Sequence, residues 1–306
     1  MIKRFKSPKK HRFVLLKVLL VTLVIYIIFS IIYRALYKSY INTLSNEEII
    51  NEVIKNTKVS SFNINKYTDP TYIFKHTLNF NIIKNEPVRT LEVNNIENKE
   101  SKPIVYIYTT HEGEKYTDKL LETYNIIPTV KTAEYILKDY LEDLGIETYA
   151  ENRSVSSILK ENNWAYNKSY DASRILIEGI IKRYPSLKLI IDLHRDSSKL
   201  DRTLLESNDK KYAKIMFVIG TENNNYKENY KLAESLNNFV ESKVEGISRG
   251  IITKGGPGVN GIYNQDLSSK IILMELGGQD NEIEDLNNTL EIVAKAILEL
   301  VKENEE

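Results

Sequence analysis

The 306-residue chain sets 42 Lys and Arg against 42 Asp and Glu and has no cysteine, which excludes disulfides and thiolate metal sites. Its zero net charge hides two opposite parts: nine Lys and Arg and no acidic residue precede residue 39, leaving −9 for the rest. An acidic body without a basic stripe argues against nucleic acid as a partner.

Residues 1–12 form a basic tail. Next comes "FVLLKVLLVTLVIYIIFSIIY", residues 13–33, apolar except for Lys17, Thr22 and Ser30. At about 1.5 Å per residue a helix of this length crosses a hydrocarbon core of roughly 30 Å. Lys17, near one end, can extend to the headgroups. No small-x-small cleavage site follows, so the run reads as a membrane anchor rather than a signal peptide. Positive charge is denser before the span than after it. That asymmetry predicts a single-pass protein of the cell membrane with a cytoplasmic N-terminus and an extracytoplasmic body. Residues 34–102 read as a membrane-proximal segment and linker. "SNEEIINEVIKNT" opens with a capping box, Ser45 and Glu48, and "EPVRTLEVNNIENKESKP" is a polar spacer.

The texture changes at residue 103. "IVYIY", "IETYA", "LKLIID", "KIMFVIG" and "KIILMEL" have the length and composition of strands. Between and after them lie helical patterns: "PTVKTAEYILKDYLEDLG", "DASRILIEGIIKRYP", "YKENYKLAESLNNFVESKV" and "IEDLNNTLEIVAKAILELVK". Residues 103–306 are therefore expected to form an α/β domain, a central parallel or mixed sheet flanked by helices. Sites in such sheets lie beyond the carboxyl ends of the strands.

Of four histidines, only His111 and His194 fall in this domain, each directly after a strand candidate. Glu114 follows His111 at i+3, and in a turn one metal ion can bind both. Two imidazole nitrogens and one carboxylate oxygen form a zinc ligand set with a fourth position left for water. Glu151 or Asp171 could take the place of Glu114 if the loop after His111 turns away. Without His194, Glu112 and Glu114 would read better as solvated loop charges. Glu275 is a carboxylate at the end of an apolar strand, where it needs either a partner or a task. The two readings are a general base for a zinc hydrolase, or one half of a buried ion pair. Asp192 can orient His194 from behind. Arg195 could bind a substrate carboxylate or pair with Asp196 at the surface. "KGGPGVNG" lacks the GK[ST] ending of a phosphate loop and reads as a mobile loop beside the site. "NNWAYNKSYDAS" holds the only tryptophan with Tyr166 and Tyr170, rings suited to stacking on a sugar or, more commonly, to core packing.

With "YTTHEGEKY", "IDLHRDS", "VIGTENNNYKENYKLAESL", "RGIITKGG" and "YNQDLSSKIILMELGGQDN" in this order, the chain resembles the stage II sporulation protein P family. The family usually reads His-Thr-His where this chain has Thr109, Thr110 and His111. The resemblance implies a membrane-anchored, zinc-dependent N-acetylmuramoyl-L-alanine amidase, with endopeptidase activity on peptide cross-links in the family. It also implies a role in septal thinning and engulfment alongside sporulation proteins D and M. On this reading His111, Glu114 and His194 hold Zn²⁺, Glu275 is the catalytic base and Arg195 binds substrate. The rivals are a zinc carboxypeptidase or endopeptidase confined to the stem peptide, and a non-catalytic wall-binding scaffold for which Thr109 is the one hint.

Overall fold

The computed structural model describes Thr22 and residues 102–119 and 127–303. The chain divides into two compact units, Met1–Phe62 and Asn63–Glu306, and the architecture below belongs to the second. The apolar run at 13–33 lies outside the described residues apart from Thr22, as does nearly all of 34–102. Among the described residues no helix is long and apolar enough to cross a membrane.

The strands are β1 (Val105–Tyr108), β2 (Thr148–Ala150), β3 (Leu189–Asp196), β4 (Leu204–Ser207), β5 (Lys210–Ala213), β6 (Ile215–Gly220), β7 (Ser248–Lys254) and β8 (Ile271–Gly278). Six of them form one sheet in the order β2-β1-β3-β8-β6-β7. All neighbours are parallel except β6 and β8, so the sheet is mixed. β4 and β5 make a separate hairpin whose turn places Asn208 and Asp209 at φ 51° and 58°. Asn and Asp tolerate that left-handed geometry better than other side-chain-bearing residues.

The helices are α1 (Val130–Asp143), α2 (Val155–Glu161), α3 (Ser169–Arg183), α4 (Leu200–Thr203), α5 (Tyr226–Lys243) and α6 (Ile283–Glu303). α1 buries Ala133, Ile136, Leu137, Tyr140 and Leu141, the stripe its spacing predicts, and ends beside Gly145 at φ 82°. α6 packs against α1 and α5, and Tyr140 Oη donates to Asn287 Oδ1 at 3.0 Å across the first contact. On one sheet face Ile177 and Ile180 of α3 pack against Tyr106, Tyr108, Ile190 and Ile271. Strand alternation turns Val105, Ile107, Leu189 and Ile191 to the opposite face, where they are also fully enclosed. Two covered faces explain why these strands are apolar without a polar alternation.

β1 leaves its partners in opposite directions. It runs through α1 to β2 on one side, and the chain then returns to β3 on the other. The gap between the carboxyl ends of β1 and β3 is thus a topological switch point, the place where an open α/β sheet offers a crevice. Both histidines of the domain lie there.

Candidate functional site

His194 is not beyond β3 but within it, because that strand runs on to Asp196. Tyr108 is in register with Asp192, and His194 with Glu275 of β8. Opposed residues in a parallel pair share a face, so the histidine and the glutamate stand side by side on neighbouring strands. The β3–β8 register then shifts between His194 and Asp196. Arg195 sits in that irregularity, and its N–H donates to Glu114 Oε2 at 2.8 Å.

The other half of the site is a turn. Glu114 N donates to His111 O at 3.0 Å, and Val130 N at the start of α1 donates to Glu114 O at 3.0 Å. Glu112 is not a solvated charge. It is buried, and its carboxylate accepts from Ser154 Oγ (2.6 Å), Val155 N (3.1 Å) and Ser156 N (3.2 Å) at the start of α2. Two helices thus hold the turn. It sets the His111 ring edge-on to that of His194, centroids 5.2 Å apart, and brings Glu114 Oε2 to 3.7 Å from His194 Nδ1.

Asp192 backs His194 with Oδ1 3.0 Å from Nε2, although the contact is bent and leaves Nε2 without a well-aligned hydrogen bond. The same carboxylate accepts from Thr110 N (2.9 Å) and Thr110 Oγ1 (2.8 Å). Burial opposes a charge on His194, yet Asp192 and Glu114 outweigh it and lift its pKa well above the usual value. With a carboxylate on each side the ring favours a proton on both nitrogens, and Nδ1 must release its proton before it can offer a lone pair to a metal. Burial and repulsion from His194 lower the pKa of His111. Burial pushes Glu275 up to about 7, against the pull of His194 and with the push of Glu114, and its Oε2 has no hydrogen-bond partner.

Among the described residues no three His, Asp or Glu side chains form a ready-made metal cage. The donor set nevertheless fits a zinc ion. His111 Nδ1 is buried without a hydrogen-bond partner. The 3.7 Å between His194 Nδ1 and Glu114 Oε2 is close to the roughly 3.4 Å between two ligands of a tetrahedral zinc. Neither alternative carboxylate competes. Glu151 accepts from Tyr106 Oη at 2.8 Å and from Arg153, and Asp171 pairs with Lys168 at 2.9 Å on the surface.

Arg195 does not pair with the Asp196 carboxylate, which is taken by Arg249. Among the described residues its Nη1 reaches only the Asp196 carbonyl, at 3.0 Å, and its buried Nε has no partner. Glu275 likewise makes no ion pair with Lys or Arg among the described residues. "KGGPGVNG" is pinned near its two ends and exposed between them: Glu222 N donates to Gly261 O at 2.9 Å and Gly256 N to Glu222 Oε1 at 2.6 Å. Gly220 has to be glycine here, since a Cβ would stand 2.4 Å from Gly261 O.

Tyr166 is exposed rather than core packing, whereas Tyr170 lies half-buried in the first turn of α3. Tyr166 stacks on His111 (5.1 Å, 26°), and Tyr170 meets the same ring edge-on (5.6 Å, 84°). Tyr170 also touches Tyr263 at 5.6 Å, just past the pinned loop. Aromatic density around "NNWAYNKSY" was the available signal, but sequence spacing gives no distance to His111.

Among solved structures the chain is similar to Cwp6 from Clostridium difficile, with 14% identity and a TM-score of 0.40 over 65% of this chain and 29% of that one. It is similar also to the CwlD amidase from Clostridioides difficile in complex with the GerS lipoprotein, with 17% identity and a TM-score of 0.40 over 65% and 96%. Among curated proteins it is 34% identical over 206 residues to stage II sporulation protein P of Bacillus subtilis (strain 168). That match covers 65% of this chain and 51% of the relative, so the chain spans about half the relative's length. The model of the family "Stage II sporulation protein P (SpoIIP)" matches residues 31–298, and the chain belongs to that family.

Proposed function

We propose that this protein is a peptidoglycan hydrolase that cleaves the amide between the lactyl group of N-acetylmuramic acid and L-alanine. The observation that carries the proposal is the pairing of His194 with Glu275 across β3 and β8, beside His111 and Glu114 at the switch point. Family membership supports sporulation as the setting, and the proposal extends to septal thinning and engulfment as the task and sporulation proteins D and M as partners.

His111, Glu114 and His194 would hold a zinc ion, which supplies Lewis acidity to the scissile carbonyl and to the attacking water. Asp192 fixes the ring of His194, and the Arg195 N–H fixes one oxygen of Glu114. With its pKa pushed up to about 7, Glu275 titrates near neutrality and can act in both directions. It takes a proton from the water as the water oxygen bonds to the carbonyl carbon. It then gives that proton to the nitrogen as the C–N bond breaks. The products are a lactyl carboxylate and a peptide with a free α-amine. Residues 1–12 as cytoplasmic tail, 13–33 as anchor, 34–102 as membrane-proximal linker and 103–306 as catalytic domain complete the proposal.

The free Nε of Arg195 favours a second reading, a carboxypeptidase or endopeptidase that seats a stem-peptide carboxylate there. Intact muropeptides incubated with the zinc-loaded protein and resolved by mass decide between the two. Free lactyl-muramic ends with new L-alanine amines are expected. Shortened stems still attached to the glycan would overturn the amidase reading.

A further inference from the structure

Tyr166 is 68% exposed although its ring lies flat against His111. One face therefore rests on a candidate metal ligand while much of the ring remains open to solvent at the mouth of the site. Trp164, two residues earlier, is 36% exposed. The segment carrying them is held in place by its own hydrogen bonds. Trp164 N donates to Leu159 O (2.8 Å), Lys168 N to Ala165 O (2.9 Å) and Ser169 Oγ to Tyr166 O (2.6 Å). Asn163 takes the left-handed conformation, φ 54°, that lets the chain turn out of α2. From Asn162 to Asn167 the segment carries no charge, and amide side chains flank the two rings.

We propose that Tyr166 and Trp164 form a platform for the sugar ring next to the scissile amide, which makes them specificity-determining residues for glycan-bearing substrate. The proposal rests on the amidase reading above. A charged stem peptide would call for complementary charges, which this segment lacks. A pyranose offers an apolar C–H face, hydroxyls and an acetamido group, and these match ring faces flanked by amides. An aromatic ring adds contact area at low entropic cost because it has only two side-chain torsions.

Trp164 is the only tryptophan in the chain and so reports its own occupancy. Titrating the full-length protein with peptide-free N-acetylglucosamine–N-acetylmuramic acid chains should change its emission saturably. Tyr166→Phe, which keeps the ring, should bind like the parent. Tyr166→Ala should weaken binding on the order of tenfold. In turnover, the ratio of kcat/KM for a muropeptide over a lactoyl-peptide lacking the sugar should fall by about the same factor in Tyr166→Ala. A silent titration of the parent overturns the platform, as does Tyr166→Ala binding glycan as tightly as the parent. An equal loss of kcat on both substrates with unchanged glycan binding shows that the ring only supports His111, and also overturns it. A parent that binds glycan but frees no L-alanine amine upholds the platform and removes the amidase reading. The two failures are therefore separable.

Discussion

Glu112 lies between the candidate ligand His111 and the glycine that precedes Glu114, and its three hydrogen bonds all go to the first residues of α2. Replacing it with alanine removes the carboxylate that serves Val155 N, which is buried, and Ser154 Oγ, which is partly buried. Losing an N-terminal cap costs about 1 kcal/mol, and leaving a buried N–H unpaired adds about 1–3 kcal/mol. Glu112→Ala should therefore cost roughly 2–4 kcal/mol. For a domain of about 200 residues this lowers Tm by roughly 5–10 °C. Glu112→Gln keeps one acceptor oxygen and should lose about half as much. Zinc affinity should fall further, roughly 10–100-fold, because the tether that places His111 and Glu114 is gone while both ligands remain. Differential scanning calorimetry and competition with a chromogenic zinc chelator read the two effects. A Glu112→Ala protein that melts with the parent refutes the cap. A protein that melts early but holds zinc as tightly as the parent shows that α1 alone positions the turn.

Glu275→Gln should retain near-parental zinc and lose about 10²–10⁴-fold in turnover, while Glu114→Gln should lose both. Metal content by mass spectrometry in the reverse order would exchange the two roles. Glu134 is buried against Lys131 at 2.7 Å, and burial raises its pKa from 4.5 to about 7. The folded state then holds this proton more tightly than the unfolded chain does, so the contribution of Glu134 to stability falls as pH rises from about 4.5 to about 7. Glu134→Gln should flatten that part of the Tm–pH curve, and an unchanged slope would show that Glu134 is ionised throughout. A protein beginning near Ser101 should fold and hydrolyse peptidoglycan, and a folded but inactive product would bring the membrane-proximal segment into the enzyme. A reporter fused after Glu306 should be active only outside the cytoplasm, and a cytoplasmic signal would overturn the anchor.

The buried strands were legible because covering both sheet faces makes β1 and β6 apolar throughout, and β3 and β8 apolar as far as Asp192 and Glu275. α1 and α6 were legible from their periodicity. β7 was not, because as an edge strand it is only partly buried and its sequence mixes Ser, Arg, Gly and Thr with two isoleucines. The β4–β5 hairpin was missed for a similar reason: "LLESNDKKYA" has a turn signal in Asn208–Asp209 but little apolar alternation around it. In the site, His111, Glu114, His194 and Glu275 could be singled out by residue type and strand position, and the structure brings them together. Glu112 could not, since a carboxylate that caps a helix some forty residues away looks the same in sequence as one in solvent.

The site has two mechanical halves, and they assign its parts different tolerances. His194 and Glu275 are fixed by register on adjacent strands, roughly 4.8 Å apart, deep in a sheet covered on both faces. Their separation can change only if the sheet slips. His111 and Glu114 belong to a turn whose position depends on the Glu112 cap, the Val130 N–H and the Arg195 N–H. The Thr109–Thr110–His111 stretch joins the halves. Thr110 makes the link, since its N–H and Oγ1 both donate to Asp192, the residue behind His194. Thr109 is buried, and among the described hydrogen bonds none that joins these residues uses its side chain. The histidine this chain keeps, His111, is the one that reaches His194. On the proposed zinc reading a threonine at position 109 therefore leaves all three candidate ligands in place, and a substitution in the turn or at its Glu112 tether is expected to disable the site instead.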